Sequence, residues 1–179
     1  MSDMTICATK NGVPYRVFCF WTGSNAITEN RRKGLSSILE HAGVPVILVT
    51  PRSLDRWILP DFPLHPAYGF LSEVHRSDYL RTYFMHHHGG GYADVKTQTA
   101  SWLPSFDRLA ADETAFGIGY QEVSNGVAPV DDTALRAEME RNYRQLIGNC
   151  CYIFRPRTAF TQEWIDGMHA LMDRKMIQF

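Results

Sequence analysis

At 179 residues, with 45% apolar and 21% charged side chains, the chain has the size and balance of one globular domain. Its net charge of −1 gives no electrostatic footing for nucleic acid or an anionic membrane surface. No apolar run approaches the ~18 residues that span a bilayer, and the amino terminus MSDMTICATKNG lacks a basic, apolar leader, so the cytoplasm is the expected compartment.

In chain order, YRVFCFW (15–21) reads as a buried strand ended by the turn residues TGSN. TENRRKGLSSILEHAG (28–43) reads as a helix, with Thr28 as its N-cap, Leu35, Ile38 and Leu39 on one face, and Gly43 at its end. VPVILVT (44–50) is a second buried strand. Strand, helix and strand in succession imply a parallel βαβ unit, and hence an α/β fold with a mainly parallel central sheet. Residues 51–66 are proline-punctuated connection with room for one short helix.

A longer helix is expected over 66–87, ended by Gly89–Gly91, with YADVK as a short strand after the glycines. Residues 101–112 look helical and 114–123 strand-like, and SNGVAPVDD (124–132) is a loop with strong turn chemistry. Residues 132–146 are helical, 147–156 a strand, and 158–176 a final amphipathic helix. The four cysteines (Cys7, Cys19, Cys150, Cys151) show no C-x-x-C spacing and read as small buried hydrophobes in a reducing compartment. The chain stops at MIQF with no capping glycine, so we expect one domain, residues 1–179, clipped at its C-terminus.

The stretch SDYLRTYFMHHHGGGYADVK (77–96) carries the chemistry. On a helix, Leu71, Val74, Asp78, Arg81 and Met85 share one stripe, which places two opposite charges on the face that meets the core. They read equally as an i,i+3 ion pair at the edge of that face or as the wall of a polar, ligand-binding cleft. His86, His87 and His88 point about 100° apart on a helix, so they cannot share one metal. They read instead as a polar helix end whose charge favours the dipole. The glycines follow a helix and precede a strand, which excludes a dinucleotide fingerprint. Asp94, near a strand's carboxyl end, reads either as a turn residue or as a ligand for hydroxyls or a hard cation.

Taken together, Ser77-Asp78, Arg81, Gly89-Gly90 or Gly90-Gly91, Tyr92 and Asp94 resemble the "SD..R…GG.Y.D.D" core of GT-A glycosyltransferases with a DXD motif. The closest resemblance is to glycosyltransferase family 32, of the Och1-like and capsular-polysaccharide type, and to the glucosyltransferase domain of large clostridial toxins. FWTGS (20–24) is similar to their N-terminal strand end, and GNCCYIFRPRTAFTQEW (148–164) to a later strand and turn.

The resemblance implies a GT-A, Rossmann-like domain that moves a hexose from a UDP- or GDP-sugar to a hydroxyl of a glycan or lipid-linked acceptor. It implies retention of configuration, and association with a membrane only through the acceptor. Trp21 would stack on the nucleotide base, its other reading being a core tryptophan. Asp78 and Arg81 would hold the donor sugar, with Gly90, Gly91 and Tyr92 along the substrate. Asp94 matches the first Asp of DXD, touching ribose and a Mn²⁺ or Mg²⁺ ion, and Asn149 would lie near the reacting centre. The sequence departs from the family at Lys96, which stands where the second Asp, the usual metal ligand, belongs. A lysine cannot ligate a divalent ion while protonated, but its ammonium suits a leaving diphosphate, so Lys96 is expected to take over part of the metal's role. Two rivals follow from other features: a non-catalytic nucleotide-sugar binder, from Lys96, and a metallohydrolase, from the histidines.

Overall fold

The computed structural model describes residues 7–123 and 126–176. A small hairpin of β1 (Thr9–Lys10) and β2 (Val13–Pro14) leads into β3 (Val17–Phe20). Helix α1 (Glu29–His41) and strand β4 (Val46–Val49) follow, and β3 pairs with β4 in parallel, which is the expected βαβ unit. The buried stripe of α1 is Gly34, Ile38 and Ala42, spaced at i, i+4, i+8, whereas Leu39 is 57% exposed. The sequence reading chose the large residue over the small one. A glycine is buried here because the neighbouring backbone comes too close for anything larger.

The connection to the next helix holds two short 3₁₀ turns, Leu54–Arg56 and Pro66–Phe70. Helix α2 (Glu73–His87) therefore starts at Glu73 rather than at 66, after an extended Leu71 and a Ser72 cap whose hydroxyl accepts from the His75 N–H. Strand β5 (Gly90–Ala93) begins inside the glycine run, not after it. At Gly90, φ is +92° and a Cβ would lie 2.8 Å from the Arg16 carbonyl oxygen. At Gly91 it would meet Trp102 and Val17 at 3.0 Å. These glycines let the strand enter a crowded sheet.

Helix α3 (Leu103–Ala111), strand β6 (Gly117–Gln121), helix α4 (Thr133–Arg141), strand β7 (Ile147–Phe154) and helix α5 (Ala159–Met176) complete the chain. Ser124 and Asn125 of the expected loop lie outside the described residues. The sheet runs β4–β3–β5–β7–β6, with β7 antiparallel to both neighbours. It is a mixed sheet in which β3, β4, β5 and β6 run the same way and β7, inserted between β5 and β6, runs in the opposite direction.

Alternation along β3 feeds two cores. Phe18 and Phe20 join Tyr79, Phe84, Tyr92 and Ile165 under α2 and α5. Val17 and Cys19 join Ile38, Phe106 and Leu109 under α1 and α3. The molecule is an α/β/α sandwich, and Cys19 alone of the cysteines is fully buried. Among the described residues no helix is long and apolar enough to cross a membrane.

The three histidines are wall material. His88 Nε2–H donates to the Trp57 carbonyl at 2.7 Å, His86 Nδ1 meets Thr161 Oγ1 at 3.1 Å, and the His87 ring lies 4.4 Å from that of Tyr83. Burial, then the neighbouring histidines, pushes His87 down to about 4. Burial also takes His88 to about 4 and lowers His86. At neutral pH they are uncharged, so the expected charge–dipole interaction is not made. An unfolded histidine titrates near ~6.5, so between about 6.5 and 4 the unfolded chain holds more protons than the folded one. Stability should therefore be complete above that window and fall as pH drops through it. Denaturant titrations from pH 7.5 to 4.5 measure this, and His88→Gln should flatten part of the slope.

Candidate functional site

A cleft of about 480 Å³ opens at the carboxyl ends of β3 and β5, where α/β sheets place ligands. Its walls bring together Trp21, Asp78, Arg81, Tyr92, Asp94 and Asn149 from four separate elements and their flanking turns.

Arg81 is the centre of the arrangement. Its side chain is 11% exposed and forms an ion pair with Asp78, one turn back on α2. It also donates to the Asn149 carbonyl at 2.8 Å, and its guanidinium lies over the Tyr92 ring, 5.2 Å from the centroid. One cation thus joins α2, β5 and β7. The two residues form an i,i+3 ion pair, and both line the cleft.

Tyr92 carries the network onward. Its buried hydroxyl donates to Asp94 Oδ1 at 2.6 Å, while Lys96 Nζ sits 2.9 Å from Asp94 Oδ2 and 3.1 Å from Cys150 Sγ. Burial pushes the Asp94 carboxyl up. The hydrogen bonds from Tyr92 and Lys96, with the charges of Lys96 and Arg81, outweigh it and leave the group below the usual carboxylate range. Lys96 is held up chiefly by Asp94 and then by Cys150. Asp94 is thus ionised at neutral pH, with both oxygens engaged.

Trp21 lies outside both cores and is half-buried. Its indole N–H donates to the Asn25 carbonyl at 2.9 Å, and its backbone N–H to Val49 O extends the sheet. Among the described residues no aromatic ring or guanidinium covers its face. It lines the cleft and belongs to neither core.

Other expectations fare differently. Gly90 and Gly91 do not line the cleft, because they sit at the opposite end of β5, against Arg16, Val17 and Trp102. Lys96 does not line it either and reaches it through Asp94 and Cys150. A Mn²⁺ or Mg²⁺ ion at Asp94 would have to compete with Tyr92 and Lys96. Asp94 is the single DXD carboxylate, its oxygens already take Tyr92 and Lys96, and among the described residues no three His, Cys, Asp or Glu side chains converge.

The sequence reading missed Thr22, Gly23, Asn25, Arg31, Glu73 and Cys150, all lining residues. Arg31 donates to the Val95 carbonyl at 2.8 Å. Thr22 Oγ1 donates to Glu73 O at 2.6 Å and ties the β3 end to α2. The cleft borders an apolar groove of about 840 Å³ through Asp78, and a depression containing Trp164 and Phe160 through Asn149.

No family model, no curated protein and no solved structure gives a significant match to this chain. The fold is that of an α/β protein with a polar cleft at its strand ends.

Two substitutions test this construction. A Cβ at Gly34 would lie 3.1–3.2 Å from the Lys96 backbone, so α1 directly buttresses the segment bearing Asp94. Gly34→Leu should destabilise the fold by about 1–3 kcal/mol through overpacking, despite leucine's better helix propensity. Thermal denaturation measures it. Tyr92→Phe removes a hydrogen bond to a charged acceptor and should cost about 1.5–3 kcal/mol. It should also raise the Asp94 pKa, readable by carboxyl NMR titration.

Proposed function

We propose that the cleft is the donor site of a GT-A-type glycosyltransferase that moves a hexose from a UDP- or GDP-sugar to a hydroxyl of a glycan or lipid-linked acceptor. The observation that carries this reading is the convergence of Trp21, Asp78, Arg81, Asp94 and Asn149 on one cleft at the strand ends. These are the residues in which the sequence resembles family 32. An open aromatic face takes a base, and carboxylates fixed by cations accept sugar or ribose hydroxyls.

In the reaction, the bond from the anomeric carbon to the diphosphate oxygen breaks, and its electron pair stays with the leaving nucleoside diphosphate. A bond from that carbon to the acceptor oxygen forms, and the acceptor hydroxyl's proton passes to the departing diphosphate oxygen. The anomeric centre passes through an oxocarbenium-like state. Asp78 and Arg81 orient the sugar, with Arg81 immobilised by its contacts to α2, β5 and β7, so the geometry exists before the donor arrives. Lys96 and Asp94 form a fixed pair at the cleft wall, and Lys96, without lining the cleft itself, contributes positive charge toward the leaving group from behind Asp94, with no metal in the step. The acceptor approaches from the apolar groove at Asp78 or the aromatic depression at Asn149.

A second reading is a nucleotide-sugar binding domain without transfer. The engagement of both Asp94 oxygens favours it, since a carboxylate so occupied has less to offer a reacting centre.

A thermal-shift screen of UDP- and GDP-hexoses, with and without Mn²⁺, should raise Tm with at least one donor in the absence of metal. Donor hydrolysis and transfer assays then separate the two readings. Asp94→Asn and Asp78→Ala should abolish turnover in folded protein, while Trp21→Ala should weaken donor binding by roughly 1–3 kcal/mol. Activity should survive EDTA and be lost in Lys96→Ala. Full loss with EDTA and none with Lys96→Ala would reverse the assignment of positive charge to the lysine.

A further inference from the structure

The charges around the cleft are almost all matched within the protein. Arg81 is paired with Asp78, and Lys96 with Asp94. Arg32, the neighbour of Arg31 on α1, is paired with Glu29 at 2.7 Å. Arg31 differs. It lines the cleft, and among the described residues it meets no carboxylate. One of its terminal nitrogens donates to the Val95 carbonyl at 2.8 Å, which anchors the guanidinium beside the Asp94 strand end. A guanidinium has five N–H donors in a planar fork, so most of its hydrogen-bonding capacity is uncommitted.

At the other side of the cleft stands Glu73, a lining carboxylate that likewise enters no ion pair among the described residues. It opens α2, and its carboxylate reaches the turn after β3, where a Cβ on Gly23 would come within 2.9 Å of its oxygens. The cleft therefore has an unmatched cation at the β5 side and an unmatched anion at the β3–α2 side. A ligand that satisfies both carries negative charge at one end and hydroxyl or amine donors at the other.

We propose that Arg31 is the diphosphate anchor of this cleft, with Glu73 receiving hydroxyl or amine donors of the same ligand and repelling its phosphates. This rests on the nucleotide-sugar reading and deepens it. It assigns the phosphate contact to a residue outside the DXD-like segment and fixes the direction in which the ligand lies. The planar fork suits bidentate contact with phosphate oxygens, and the anchoring carbonyl limits the side-chain freedom lost on binding. Arg81 and Lys96 would each have to abandon a carboxylate to do the same.

Calorimetric titration of UDP, GDP, uridine, guanosine and inorganic pyrophosphate into the wild type, Arg31→Gln, Arg31→Lys and Arg32→Gln tests the assignment. Binding of UDP or GDP should weaken about tenfold to a hundredfold in Arg31→Gln, the loss of one charge-assisted contact. Arg31→Lys should recover part of it, and Arg32→Gln should match the wild type. The matching nucleoside should bind equally to the wild type and Arg31→Gln, which also shows that the cleft remains folded. The difference should shrink as salt rises, because the group is exposed. Equal UDP and GDP affinity in the wild type and Arg31→Gln overturns the assignment while leaving the donor reading intact. Pyrophosphate binding that depends on Arg31, without nucleotide binding, supports the anion anchor and removes the nucleotide-sugar reading. A wild type that binds none of the phosphates overturns both.

Discussion

The architecture around the cleft depends on the burial of one charge. Arg81 enters the protein with only 11% of its side chain exposed, and a guanidinium cannot shed its proton to escape the cost of leaving water. It is tolerated because Asp78 neutralises it, the Asn149 carbonyl accepts from it, and the Tyr92 ring presents its electron-rich face. Those partners sit on α2, on the next strand β5, and on β7, whose Asn149 lies 68 residues from Arg81. Satisfying the cation therefore holds α2 against the β5–β7 pair.

From there the network is a relay of constrained groups. Tyr92 is fixed between Phe20 and Tyr152 in the core, and its hydroxyl reaches out to Asp94. Asp94 is clamped between that hydroxyl and Lys96, and its backbone N–H continues the ladder to Cys150. Gly34 lets α1 rest on the Lys96 backbone, and Arg31 from the same helix holds the Val95 carbonyl. The polar groups are thus positioned by elements buried on both sheet faces, which is the condition for a preorganised site.

The histidine run illustrates how local sequence can mislead. Three histidines beside a glycine run invite a metal or charge-based interpretation, yet His86 is buried, His87 and His88 are half-buried, and all three are neutral, with the Trp57 carbonyl, Thr161 and Tyr83 as neighbours. Gly90 and Gly91 are similar. They serve strand entry past Arg16 and Trp102 and do not line the cleft. The motif's polar members, Asp78, Arg81, Tyr92 and Asp94, are the ones that meet in the cleft.

Sequence by itself determined the α/β class, the β3–α1–β4 unit, the positions of α3, α5 and β7, and the polar stripe of α2. Each follows from local periodicity, capping and turn chemistry, which act over a few residues. Arg31 left a signal that went unread: a cation in the first turn of a helix opposes the dipole, and a departure from local preference often marks a functional residue. Only the tertiary structure decided the reversed insertion of β7, the pairing of Lys96 with Asp94 and Cys150, and the exposure of Leu39 in favour of Gly34. These depend on which distant segments share space. Pairing β5 with β7 brings Cys150 to Asp94 and the Asn149 carbonyl to Arg81, and no local pattern in either segment encodes that encounter.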